Sequence, residues 1–99
     1  EADALNGLGE TLLADGHPDR AHAQHTAALG PAVLSGDRFG LARTRTGLGD
    51  ACRASGEEDR AREHWELARS LYTELGVPEA DDLGARLASL GASPGSRRG

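Results

Sequence analysis

Few residues in this chain have the types and spacing to do chemistry. His22 and His25 stand three apart, a spacing that puts two imidazoles on one side of a helix. Zinc takes three or four protein ligands, and no Cys, Asp or Glu follows at a spacing that completes the set. The pair is therefore read as packing or surface residues, and no metal site is expected. Glu63-His64-Trp65-Glu66 holds acid and base types, but helical periodicity turns them to different sides, with Trp65 inward. Cys52, the single cysteine, falls where an inward side chain is needed, so burial is its expected role. Gly7-Leu8-Gly9 has glycines enough for a phosphate loop. It lies in the middle of a helical stretch with no strand before it, which removes that reading. No enzyme activity and no cofactor are expected.

The composition sets the terms for whatever elements hold these residues. The 99 residues suit a single domain. No run of about 18 apolar residues is present to cross a membrane, and no signal peptide is visible. The chain has no methionine, which suggests a segment of a longer protein. Leu, Val and Phe number 17 together, Ile is absent, and 17 alanines match them. A content of large apolar residues this low leans towards disorder unless alanines pack helices closely. The net charge of −5, with no basic stripe, argues against nucleic acid as a partner. Lysine is absent while Arg, Ala and Gly abound, a usage that suggests a GC-rich, actinobacterial coding bias. A lone cysteine fits a reducing cytoplasm.

A shift of 40 residues brings two halves of the chain into register, with 11 identities between residues 1–40 and 41–80. They include Leu8/Leu48, Gly9/Gly49, Gly16/Gly56, Ala21/Ala61, Ala28/Ala68 and Gly36/Gly76. These are small residues of helix contacts and glycines of turns. The periodicity predicts helices over about 1–15, 18–35, 38–55, 58–75 and 79–90. Leu5, Leu8, Gly9 and Leu12 mark the inner face of the first; Leu48, Trp65, Leu67 and Leu71 mark the second hairpin. Gly16 closes a helix and Pro18 opens the next. Pro31 removes a hydrogen bond inside the second helix, so a kink or break is expected at 30–31. Asp37 is the expected N-cap of the third. Residues 92–99, only Gly, Ala, Ser, Pro and Arg, are expected to be disordered.

The aligned positions resemble the tetratricopeptide repeat, in a 40-residue form longer than the usual period of about 34. The second copy matches at Leu48-Gly49, Cys52, Gly56, Ala61, Trp65 and Ala68. The first matches at Leu5, Leu8-Gly9, Leu12, Gly16, Ala21, His25 and Ala28, with His25 in place of the aromatic. Gly36-Asp37-Arg38-Phe39-Gly40 and Leu75-Gly76-Val77-Pro78-Glu79-Ala80 narrow the likeness. They are similar to the C-terminal repeats of actinobacterial regulators, including Streptomyces-type antibiotic regulatory proteins and related signal-transduction ATPases.

The resemblance implies an all-α fold of antiparallel helix pairs: a right-handed solenoid of two repeats over residues 1–91 with a C-terminal capping helix. It implies packing through Leu8, Gly9, Leu12, Ala21, Ala28, Leu48, Gly49, Cys52, Ala61, Trp65 and Ala68. It places Asp3, Asn6, Glu10, Leu13, Arg43, Thr46, Asp50 and Arg53 on a concave face for a protein or peptide partner. The lysine clamp by which some such repeats hold a C-terminal carboxylate has no counterpart here. The expected function is a protein-interaction module of a transcriptional regulator. A structural segment for self-association or autoinhibition is the alternative, with a homodimer through the uncapped first helix.

Overall fold

A computed structural model describes residues 1–91, and these form five helices. They are α1 (Ala2–Ala14), α2 (Pro18–Ser35), α3 (Arg38–Ala54), α4 (Glu58–Leu75) and α5 (Glu79–Gly91), with no strand among the described residues. The expected tail at 92–99 lies outside the described residues.

Turn chemistry sets the spacing. Gly16, Gly36, Gly56 and Gly76 recur every 20 residues and all have positive φ, from 71° to 85°. A left-handed residue after the last helical turn reverses the chain, and glycine does so without a Cβ clash. After α1 the Gly16 N–H donates to the Leu13 carbonyl at 3.0 Å and the His17 N–H to that of Leu12 at 2.9 Å. After α3, Gly56 and Glu57 repeat the pattern on Arg53 and Cys52, at 3.0 and 2.8 Å. Each pair of bonds satisfies carbonyls that a helix end leaves open. Asp37 caps α3 as expected, its Oδ1 accepting from the Gly40 N–H at 2.9 Å.

Each helix packs on the one before it, and α1 also reaches α3. The molecule is a slab with principal extents of 43 × 31 × 18 Å. Ala21, Ala28, Ala42, Ala61 and Ala68 are fully buried at the helix contacts. Trp65, Tyr72, Leu83, Leu90 and Cys52 belong to the main core cluster, and Leu71, Ala80 and Leu87 pack against it.

Gly9 of the first helix and Gly47 and Gly49 of the third are seats for rings. A Cβ on Gly49 would lie 2.3 Å from the Trp65 ring, and one on Gly47 2.3 Å from His25. A Cβ on Gly9 would meet the same imidazole at 2.6 Å. His25 therefore fills, forty residues earlier, the place Trp65 fills in the second hairpin.

Three expectations change. Helix α2 continues from Pro18 to Ser35 through Pro31, so of the expected kink or break the break does not occur. A residue before proline is pushed from the helix by clashes of the ring with its N–H and, in most residues, with a Cβ. Gly30 has none, and Ala27, whose carbonyl loses its donor, is exposed to water. Leu8 does not pack; it is 47% exposed, because α1 has no helix on its outer side, whereas its counterpart Leu48 is 1% exposed. Leu67 is likewise 49% exposed, on the outer face of α4.

Candidate functional site

Helices α1, α3 and α5 line a cleft of about 290 Å³, with His25 of α2 and Tyr72 of α4 at its floor. On α3 the lining residues Arg43, Thr46, Gly47 and Asp50 follow the i, i+3, i+4, i+7 rule for one helical face. Glu10 and Leu13 face them from α1, and Glu79, Asp82 and Arg86 from α5. Arg53 stands one turn further along, in an adjoining depression with Trp65 and Ser89.

Charges along the cleft are tied to each other. Arg43 holds Glu10 with two parallel bonds, Nε to Oε2 at 2.8 Å and Nη2 to Oε1 at 2.9 Å. Its Nη1 donates to Asp3 Oδ1 at 2.6 Å. The guanidinium beside Glu10 holds that carboxyl below its ordinary value, and the pair raises Arg43 in turn. Asp50 is held differently. Its Oδ1 accepts from the Trp65 indole N–H at 3.2 Å, while Arg86 Nε stays 3.7 Å away, beyond hydrogen-bond reach. Burial pushes the Asp50 carboxyl up, and Arg86 only partly offsets that. A half-buried carboxylate at the centre of the cleft thus keeps room for a further cation. The cleft is lined by four carboxylates (Glu10, Asp50, Glu79, Asp82) against two guanidiniums (Arg43, Arg86).

Of the concave-face residues read from the sequence, Glu10, Leu13, Arg43, Thr46 and Asp50 line this cleft. Asp3 joins it through Arg43, and Arg53 lies beside it. Asn6 does not. It is 1% exposed and turned inward. Its Nδ2 donates to Thr44 Oγ1 at 2.9 Å, and its Oδ1 lies 2.8 Å from His25 Nδ1. With Nδ2 committed to Thr44, Oδ1 is the acceptor and His25 the donor. Asn6 therefore positions the buried imidazole and presents nothing to a partner. The sequence reading missed the contribution of α5. Glu79, Asp82 and Arg86 recur at i, i+3 and i+7, a polar face beside the Leu83–Leu87 seam, and that periodicity was the available signal.

The two histidines first considered as a pair part company. His25 points inward to Asn6, while His22 meets Cys52 of α3 and His64 of α4, the ligand atoms of the three lying within 4.8 Å of one another. This group lies on the other side of α3 from the cleft. Cys52 is two residues beyond Asp50, about 200° around the helix axis. Comparison with protein-family models, with curated proteins and with solved structures finds no match to this chain, so its function is argued from this geometry.

Proposed function

We propose that this chain is a protein-interaction module of the tetratricopeptide type. Its cleft between α1, α3 and α5 receives an extended segment carrying Arg or Lys. The observation that carries the reading is Asp50, half-buried at the cleft centre with its nearest guanidinium outside hydrogen-bond distance. A cationic side chain placed there completes a charge-assisted bond in a partly dry site, where such bonds are strongest. Rigid helices hold the lining residues, so little order is lost on binding.

Binding is favoured over catalysis by what the polar groups do. Glu10 is occupied by Arg43, and the Thr46 hydroxyl donates to the Ala42 carbonyl at 2.9 Å. No nucleophile beside a free base lines the cleft among the described residues. The repeat spacing and the Gly36–Gly40 and Leu75–Ala80 stretches support placement in a larger regulator, as a segment contacting a partner domain. Self-association is the second reading. It is favoured by Leu8, 47% exposed on the outer face of α1 beside half-buried Leu5 and Leu12.

Trp65, hydrogen-bonded to Asp50, is a built-in reporter. Titration with an arginine-containing peptide library should change its emission, and Asp50→Lys should weaken binding by at least about tenfold, one charge-assisted bond. Binding should also weaken with added salt. Equal affinity for acidic and basic peptides would overturn the reading. A stable dimer in light scattering that dissociates in Leu8→Glu would favour the second one.

A further inference from the structure

Three helices bring one soft and two borderline donors to a single point on the face of α3 opposite the cleft. His22 comes from α2, Cys52 from α3 and His64 from α4, with ligand atoms within 4.8 Å of one another. Cys52 is 1% exposed, and the two imidazoles are half-buried. A depression lined by Asp19, Ser55, Glu57 and Arg60 opens beside His22 and Cys52. The trio is not a by-product of the repeat. The counterparts of His22, Cys52 and His64 forty residues away are Arg62, Leu12 and Gln24, which offer no such set. It exists only at the junction where the first hairpin packs on the second.

We propose that His22, Cys52 and His64 bind a zinc ion that ties α2, α3 and α4 together. One thiolate and two imidazoles form a donor set suited to zinc, with a fourth position left to water or a carboxylate. The depression carries two carboxylates for that position, since Asp19 sits one turn before His22 and Glu57 caps the next helix. Tetrahedral zinc separates its ligand atoms by about 3.3–3.6 Å, given metal–ligand distances of about 2.0–2.3 Å. The ligand atoms, within 4.8 Å of one another, must draw closer by about 1 Å as the ion enters, and the two half-buried imidazoles are the groups free to turn. Two cations oppose the ion: Arg60, in the lining of the depression, and Arg45, which also competes for His64. Arg45 Nη1 lies 3.3 Å from His64 Nδ1 and donates to it. Neither nitrogen of His64 ligates well while that bond stands, because a ring bound through its other nitrogen must carry a proton here. Arg45 therefore swings outward as zinc enters.

The test uses the full chain under reducing conditions, with Co²⁺ as spectroscopic probe and Zn²⁺ as competitor. The expected result is one equivalent of Co²⁺ with a thiolate-to-metal charge-transfer band, bleached by Zn²⁺. His22→Ala should weaken binding by more than about 100-fold, since loss of a mere outer-sphere partner already costs about 10–100-fold. Zn²⁺ should raise the Tm of the wild-type chain and leave that of His22→Ala unchanged. Arg45→Ala should tighten binding, which a purely structural cluster would not show. Cys52→Ser removes the charge-transfer band, and circular dichroism checks that it folds; His22, only half-buried, serves if it does not. A wild-type chain with no such band, or one-to-one zinc binding retained in His22→Ala, overturns the proposal.

Discussion

The same substitution has opposite signs at two glycines, and the side chain opposite each decides which. Alanine in a helix interior gains about 0.5–1 kcal/mol over glycine from unfolded-chain entropy. At Gly84 that gain is kept, since an added Cβ would touch only Arg69, at 3.7 Å or more. At Gly49 it would lie 2.3 Å from a Trp65 ring that is 2% exposed and whose one N–H is shared between the Thr46 carbonyl and Asp50. Overpacking of this kind costs about 1–3 kcal/mol, which exceeds the propensity gain. Urea denaturation should show Gly84→Ala stabilised and Gly49→Ala destabilised; a stabilised Gly49→Ala would mean that Trp65 does not seat there. His25 answers in pH. Burial holds its pKa below the ordinary 6.5, with Arg43 and His22 acting in the same direction and Glu10 against. The unfolded chain therefore takes up the proton first as pH falls through 6.5, and stability drops below that point. Burial and Arg45 push His64 the same way. The raised Asp50 carboxyl acts oppositely, but nearer the carboxylate range. Unfolding free energy should thus fall between about pH 7.5 and 5.5, with a smaller fall in His25→Gln; an equal fall would remove His25 from the account.

Elements were the most legible level. Gly16, Gly36, Gly56 and Gly76 announce the turns because φ near +70° to +85° is cheap only for glycine, and the helices begin and end close to where those residues put them. Pro31 does not break α2, although proline weighed alone predicts a kink or a break. Gly30 before it lacks the Cβ that would add to the conflict, so the pair has to be read as a unit. Asn6 and Leu8 were misread for another reason. Periodicity ranks the faces of α1 but does not say which neighbours cover them, and here a polar residue is covered while an apolar one is not. Cys52, His22 and His64 had no local signal at all. They lie 30 and 12 residues apart along the chain and meet only because α3 packs against both α2 and α4.

At the scale of the molecule, a stack of helix hairpins covers its inner members on both sides and its outer members on one. Leu8 and Leu48 are the same residue in the two copies of the pattern, and they measure that difference. Leu48 is 1% exposed, with α1, α2 and α4 all packed on α3. Leu8 is 47% exposed, since α1 meets α2 and α3 only. Truncating a buried leucine removes its transfer energy and leaves a cavity, so Leu48→Ala should cost about 2–5 kcal/mol. Leu8→Ala in the isolated monomer should stay within about 0.5 kcal/mol, the range of a surface change. The contrast turns on concentration. If a second copy covers Leu8, its truncation becomes costly only where the dimer forms, and the Tm of the wild-type chain rises with protein concentration. Thermal unfolding of both variants over a wide concentration range therefore reads the two positions together. Equal losses at Leu8 and Leu48 in dilute solution would mean that α1 is covered in the monomer, against the arrangement described here.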